Sequence, residues 1–339
     1  MLEGTSVKPD NHSFPFVSII IPCLNSKRTI VDCLTAIFKL NYPKEFFQVI
    51  LVDNGSTDGT LNFIRDFDVR SFICPEMTIS ALRNHGAKNS KGSLLAFLDS
   101  DCVVPENWLR NAIILFRERG IGVVGCGYGL PQDAGWVLKA WYLPASESSK
   151  EVSFIPAGNM VVPRNIFDSI QGFDERLITG EDYDLCQRVR DKGYRIMASK
   201  LVQVVHLDSA DSLFKFLKKE RWYGKGMLPS FNRATFFNKT IIFCHLFGFC
   251  IIAIVLSLVF FSGFVFIASL ILLIFILVIS VTYRIFVKAD YKDAKKFIPL
   301  MVLYFMYYLG RAYALADLYK EALKKYLESL KRKYEAGSE

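Results

Sequence analysis

From Lys239 to Val287 the chain runs almost without charge, and a stretch of that length and character cannot keep its whole surface in water. Within it, residues 240–261 and 264–287 are each long enough to cross a hydrocarbon layer of about 30 Å at about 1.5 Å per residue. Ser262 and Gly263 make the turn between them, so the pair predicts a hairpin. With Lys239 at one end and Lys288 at the other, both ends are expected in the cytoplasm. A third segment, 297–316, is apolar until Gly310 and Arg311. If it crosses fully, the basic tail holding Lys324, Lys325, Lys331, Arg332 and Lys333 is exported, against the positive-inside tendency. A third span and a re-entrant or interfacial segment both stay open.

Residues 1–238, in contrast, alternate apolar runs with charged faces as a water-soluble domain does. The net charge of +8 is not gathered into a dense block there. Lys215, Lys218, Lys219, Arg221 and Lys225 precede the apolar stretch, and Lys288, Lys292, Lys295 and Lys296 interrupt it. Basic residues so placed face anionic headgroups, so a membrane surface is the expected partner and nucleic acid is not. The eight cysteines show no CxxC pair and no zinc spacing, which suits reduced thiols facing the cytosol. Residues 1–15 are polar and lead directly into a strand-like run, with no signal peptide. The expected location is the cell membrane, multi-pass, with the N-terminal domain facing the cytoplasm.

Short β-branched runs at 16–21, 48–53, 69–74, 94–99 and 121–126 alternate with amphipathic stretches near 27–39, 58–66, 78–90 and 106–118. This alternation predicts an α/β, Rossmann-like domain with a mostly parallel sheet, whose ligands bind beyond the carboxyl ends of the strands. Residues 127–158 read as irregular, and a strand near 159–162, a helix near 182–192 and strands near 194–198 and 201–206 complete the domain. The expected organisation is an extension at 1–15, the α/β domain at 16–210, an amphipathic interfacial segment at 211–238, a membrane region at 239–319 and a basic tail at 320–339.

Three strand or loop endings carry chemistry. In LVDNGSTDGT a buried strand delivers Asp53 and Asn54 into a turn at Gly55, either a capped strand-to-helix turn or an acceptor for a nucleobase N–H. In AFLDSDCVV, Asp99 and Asp101 flank Ser100. Two such carboxylates repel unless a cation lies between them, and hard oxygen ligands favour magnesium or manganese on a diphosphate. An exposed acidic turn is the alternative. In TGEDYDLCQRVRDKG, Glu181, Asp182 and Asp184 open a helix, where acids suit the helix dipole and where one of them is placed to deprotonate an acceptor hydroxyl.

Together VSIIIPCLN, LVDNGSTDGT, LRNHGAKNSKGSLLAFLDSD, PAGNMVVPRNIFDSIQGFDE and GEDYDLCQRVRDKGYRI resemble, in order, the family 2 inverting glycosyltransferases with the GT-A fold, over residues 16–225. The resemblance implies a base contact for Asp53 with Asn54 beside it, a donor pocket bordered by Arg83, Asn84 and Ser100, and a ribose or sugar contact for Asp99. It gives Asp101 the divalent metal, with His206 approaching the metal or diphosphate, and makes Asp182 the general base with Glu181 its neighbour. Gly158 and Asn159 fall on the acceptor or diphosphate side. Arg221 and Trp222 in KKERWYGKG resemble the QxxRW element of processive synthases, although Lys218 stands at the glutamine position.

The expected function is a membrane-anchored, metal-dependent (manganese or magnesium) inverting glycosyltransferase. It would move a sugar from a nucleotide-sugar donor to a hydroxyl of a lipid-linked saccharide or other glycoconjugate. The alternatives are a polyprenyl-phosphate glycosyltransferase, whose ionised acceptor needs no base, and a non-catalytic nucleotide-binding membrane scaffold.

Overall fold

The computed structural model of the chain describes residues 14–208, 210–227, 239–288 and 293–336. Most of the expected N-terminal extension, residues 228–238 of the segment expected to be interfacial, and residues 289–292 lie outside the described residues. The chain divides into two units. One holds residues up to Gly127, Ser149–Phe173 and Leu185–Val204, and the other holds Tyr128–Ser148, Asp174–Asp184 and the chain from Val205 onward.

The first unit is built on a sheet. Its strands are β1 (Val17–Cys23), β2 (Phe47–Asp53), β3 (Val69–Ile73) and β4 (Leu94–Leu98), then, after the two-residue β5 (Cys102–Val103), β6 (Ile121–Gly125), β7 (Lys150–Glu151), β8 (Asn159–Pro163) and β9 (Arg195–Ala198). The eight sheet strands run in the order β3-β2-β1-β4-β8-β6-β9-β7. β3, β2, β1 and β4 are parallel. β8 is antiparallel to both β4 and β6, and β7 to β9, so the sheet is mixed at one side and parallel at the other. β1 is buried at every residue, as a strand covered on both faces must be, and its VSIIIPC sequence is correspondingly apolar. The chain order reverses between β1 and β4, which opens a crevice at their carboxyl ends.

The Ile79–Lys88 helix lies tightly on this sheet because Gly86 offers no side chain: a Cβ there would sit 2.5 Å from Ile20 Cγ2. Thr78 caps it, accepting from the Ala81 N–H at 3.2 Å. Beyond β4 the core joins Phe97, Met160, Val162, Phe167, Phe173, Leu185 and Val189, so the Glu181–Asp191 helix is anchored by its second half.

Two local expectations are corrected, and one unforeseen helix is added. Residues 127–158 contain a Trp136–Trp141 helix and the edge strand β7. An Arg164–Ser169 helix follows Pro163. In place of a strand over 201–206 there is a 3₁₀ turn at Lys200–Val202 and a two-residue strand, β10 (Val205–His206). Ser199 explains this last change, because its hydroxyl accepts the Leu201 N–H and turns the chain out of extended geometry.

In the second unit, two 21-residue helices, Lys239–Val259 and Gly263–Tyr283, form the hairpin. A single helix, Phe297–Ala336, includes the third apolar segment and continues through the basic stretch beyond it. Among the described residues, three helices are thus long and apolar enough, by length and composition, to cross a membrane. Contacts of the third helix run across the open end of the hairpin. Its Leu300 packs with Val281 and Ile285 at the end of the second helix, Tyr308 OH lies 2.7 Å from Ser280 Oγ, and Tyr319 OH lies 2.7 Å from Nε2 of His245 near the start of the first. At the closed end Phe260, Phe261 and Phe264 are exposed.

The Leu213–Gly224 helix packs one face, with Phe216, Glu220 and Gly224 buried, on the third helix. Small residues let the two approach: a Cβ at Gly224 would lie 2.5 Å from Ala314 Cβ, and one at Gly310 would lie 2.9 Å from the Leu217 carbonyl oxygen. Phe214 on the opposite face is exposed.

Candidate active site

Hydrogen bonds tie together the loops at the carboxyl ends of β1, β2 and β4. Asp53 is fully buried. Its Oδ2 accepts the N–H groups of Gly55 and Ser56 at 3.0 and 2.8 Å, and its Oδ1 accepts the Ser56 hydroxyl. The carboxylate therefore shapes its own turn, which bends at Gly55 with φ of 83°. Asn54 fixes the neighbouring loop: its amide donates to the Met77 carbonyl at 3.1 Å and accepts the Met77 N–H at 2.9 Å.

The loop after β1 completes the network. Asn25, at φ of 52°, accepts the Thr57 N–H at 2.9 Å while its own N–H donates to Ser56 Oγ at 2.8 Å. Ser26 N–H donates to Thr60 Oγ1 at 2.9 Å, and Ser26 Oγ lies 2.7 Å from Ser100 Oγ. Asp58 accepts the Lys27 N–H at 3.0 Å together with the Thr60 N–H and hydroxyl. The Thr60 hydroxyl, foremost among these donors, holds the Asp58 carboxyl below its usual range. Asn25, Ser26 and Asp58 were not among the residues expected from sequence. For Asn25 and Ser26 the signal was an Asn-Ser pair, tolerant of left-handed backbone, just beyond a buried strand.

Across the β1/β4 crevice, Arg83 Nη2 donates to Asp99 Oδ1 at 2.9 Å, with side chains 4% and 26% exposed. The same guanidinium lies 5.6 Å from the centroid of the Phe173 ring. Asn84 is half-buried and pairs with the Phe173 backbone, donating to its carbonyl and accepting its N–H, both at 2.9 Å. The Asp99 N–H donates to the Gly158 carbonyl at 3.2 Å, which puts Gly158 at the same rim. Asn159 is fully buried. Its amide accepts Trp108 Nε1–H at 3.0 Å and donates to the carbonyls of Cys126 and Val202 at 3.1 and 2.8 Å, so it braces β8 from inside.

Asp101 is half-buried two residues beyond Asp99, with Cys102 Sγ 3.9 Å from its Oδ1. Burial pushes the Cys102 thiol well up, and it stays protonated at neutral pH. The Asp101 carboxylate offers hard oxygen donors beside the crevice, which suit magnesium or manganese. With Asp99 paired to Arg83, the two carboxylates of the DSD stretch stand in different surroundings.

In the second unit, the GEDYD segment bends at Gly180, with φ of 86°, and its carbonyl accepts the Asp184 N–H at 3.0 Å. Glu181 is buried, while Asp182 is half-exposed and accepts the Tyr183 N–H at 2.8 Å. Acids at this first turn match the helix dipole. The end of the KKERWYGKG element lies against this turn, since a Cβ at Gly226 would sit 2.5 Å from Thr179 Cγ2. Arg221, however, is directed to Asp317 on the third helix at 2.6 Å, and Trp222 is exposed beside Tyr223. His206 is buried with its ring 4.6 Å from that of Tyr128, edge to face.

Residues 18–170 match the family model described as Glycosyl transferase family 2. The chain is 31% identical over 227 residues to Glycosyltransferase AglE of Haloferax volcanii, covering 64% of this chain and 74% of that one. It is 24% identical over 324 residues, 86% of this chain and 94% of the other, to a dolichyl N-acetyl-alpha-D-glucosaminyl phosphate 3-beta-D-2,3-diacetamido-2,3-dideoxy-beta-D-glucuronosyltransferase of Methanococcus voltae. Among solved structures, the mannosyltransferase PcManGT of Pyrobaculum calidifontis, in complex with GDP-Man and Mn²⁺, shares the fold. It has a TM-score of 0.53 and 20% identity over 67% of each chain.

Proposed function

The chain belongs to glycosyltransferase family 2 and is a nucleotide-sugar-dependent glycosyltransferase, and on that premise we propose that it transfers a sugar, with inversion, to a hydroxyl of a lipid-linked saccharide. The observation that carries this reading is the crevice at β1 and β4, where Ser26 meets Ser100 and a buried arginine neutralises Asp99. The Methanococcus voltae relative, whose name places its acceptor on a dolichyl phosphate, supports the lipid-linked acceptor.

In this reading Asp53, Asn54, Arg83, Asn84, Asp99 and Ser100 shape and bind the donor, Asp53 through its turn and Asn84 by positioning the Phe173 loop. Gly158 borders the diphosphate side, and Asn159 positions it from the interior. Asp101, with His206, holds a divalent metal, manganese or magnesium, which supplies charge stabilisation to the departing nucleoside diphosphate. Asp182 takes the proton of the acceptor hydroxyl as that oxygen attacks the anomeric carbon from the face opposite the leaving group. Glu181 supports it from a buried position, and Arg221 and Trp222 act on the acceptor side, Arg221 by bracing its helix.

The membrane part of the proposal is a two-helix hairpin with both ends and the catalytic domain on the cytoplasmic side. The third helix lies in the membrane plane across the open end. Although this helix is long and apolar enough to cross by length and composition, its uncharged run from Phe297 to Leu309 covers only about 20 Å of the roughly 30 Å of a hydrocarbon layer. Beyond that point Arg311 and Asp317 are already paired to the Leu213–Gly224 helix.

Purified protein should release nucleoside diphosphate from one nucleotide-sugar of a panel only when manganese or magnesium and a membrane-lipid extract are both present. Tight nucleotide binding with no turnover for any donor would favour the scaffold instead. Turnover onto a bare polyprenyl phosphate would favour the base-independent reaction.

A further inference from the structure

Arg284 ends the second hairpin helix and opens a π-helical turn, Arg284–Lys288. Such turns widen a helix locally and are frequent at functional sites. The side chain is 7% exposed. Its Nη2 donates to the Trp141 carbonyl, and its guanidinium carbon stands 4.0 Å from the centroid of the Trp141 ring. Nε is buried without a hydrogen-bond partner, and among the described residues Arg284 forms no ion pair. The Tyr304 side chain is a further hydrogen-bond partner, and Glu220 is the acid whose charge reaches it. A buried cation with no ion pair of its own is nevertheless costly, and these groups with the aromatic face and one carbonyl offset part of that cost.

Beside it is a cavity of about 20 Å³ lined by Tyr142, Pro144, Arg284, Asp293, Lys296 and Leu300, among others. Lys296 Nζ donates to the Tyr142 carbonyl at 3.4 Å. Asp293 accepts the Lys295 N–H at 3.1 Å, capping its own turn. Among the described residues that line it, two are cations, Arg284 and Lys296, and one is a carboxylate, Asp293. The volume admits one water-sized group, too little for a sugar or a base but enough for an oxygen of a phosphate whose body rests at the mouth. An arginine fork with a neighbouring lysine suits phosphate. The site lies at the open end of the hairpin, and an arginine at the end of an apolar helix belongs at the depth of lipid phosphates.

We propose that Arg284 and Lys296 form a binding site for a phosphate group borne by a membrane lipid, either an isoprenoid phosphate or an anionic headgroup. This rests on the hairpin's placement in the membrane given above, and it assigns no role in the transfer step.

The test uses the full chain in phosphatidylcholine nanodiscs, titrated with farnesyl phosphate, with phosphatidylglycerol incorporated in the disc, and with inorganic phosphate. Binding of nucleoside diphosphate plus manganese is followed on the same preparations. Farnesyl phosphate or phosphatidylglycerol should bind, and Arg284→Gln and Lys296→Gln should each weaken that binding at least tenfold, with Arg284→Lys in between. Nucleotide affinity should stay unchanged in all three variants. Preference for farnesyl phosphate identifies an isoprenoid phosphate, and equal binding of phosphatidylglycerol identifies a headgroup site. Lipid binding undiminished in both glutamine variants overturns the proposal, as does binding of inorganic phosphate alone. Should Arg284→Gln fail to fold, Lys296→Gln decides. Loss of nucleotide binding by the unmodified protein would count against the transferase reading and leave the lipid result standing.

Discussion

Arg83 and Asp99 form an ion pair of 2.9 Å whose arginine comes from inside the fold, stacked near Phe173, while the carboxylate reaches the rim. The pair separates the two acids of the DSD stretch by environment. Asp99 is neutralised by protein, and Asp101 is the one proposed to meet the metal.

Removing the arginine's charge should therefore destabilise the first unit. Arg83→Met leaves Asp99 without its cation and should cost about 1–3 kcal/mol, read by thermal or denaturant unfolding. A change within about 0.5 kcal/mol would show the pair to be dispensable.

The turn after β2 depends on left-handed backbone at Gly55, and a Cβ there would meet Pro75 Cβ at 3.2 Å. Gly55→Ala should cost about 1–2 kcal/mol and weaken nucleotide binding by misplacing Asp53. Gly127 has nothing within 4 Å of the corresponding position, so Gly127→Ala should be neutral or slightly stabilising. Equal effects from the two substitutions would contradict the assignment of strain to Gly55.

Docking of the Leu213–Gly224 helix on the third helix should depend more on its glycines than on its exposed charges. The Arg221–Asp317 pair is about half exposed, so Asp317→Asn should cost at most about 1 kcal/mol. Gly310→Leu forces a side chain into backbone atoms within 3.0 Å and should cost about 1–3 kcal/mol or more. Detergent-solubilised protein followed by intrinsic fluorescence on heating gives the comparison, and the reverse ranking would refute the close-packing account.

Glu220 supplies a pH dependence of unusual sign. Burial pushes its carboxyl up, despite the opposing pull of Arg311 at 3.0 Å. Because its folded pKa lies above its unfolded value of about 4.5, the folded state holds the proton more tightly. Its contribution is fully present below the unfolded pKa and is lost as pH rises through the folded one. Glu220→Gln should flatten that slope in a melting-temperature profile taken from pH 4 upward. An unchanged profile would mean that burial and the Arg311 charge cancel, and a slope changed in the opposite sense would mean that the Arg311 charge outweighs burial.

Much of this was legible because the functional loops sit at strand ends, and strands such as VSIIIPC and FQVILVD announce themselves by composition. Asp53, Asp99 and Asp101 could be placed from their strands alone. What a side chain at such a place does was not legible. Asn159 is drawn inward by Trp108, Cys126 and Val202, and Asn84 by Phe173, 89 residues away, and no local pattern encodes partners that distant. The third apolar segment was ambiguous for a related reason. Gly310 and Arg311 look like the failing end of a span until Glu220 and Leu217, on another helix, are seen to require them.

The central claim, that this chain catalyses base-assisted sugar transfer to a hydroxyl, meets its most direct test at Asp182. An amide cannot take the acceptor's proton but keeps the size and much of the hydrogen bonding of the acid. Asp182→Asn should therefore bind nucleotide-sugar with manganese at wild-type affinity and melt near the wild-type temperature, while transfer falls roughly 10²- to 10⁴-fold. Asp101→Asn, measured alongside, should lose donor affinity as well. Near-normal turnover by the folded Asp182→Asn protein would contradict the account and reduce the acids at this helix start to a structural role.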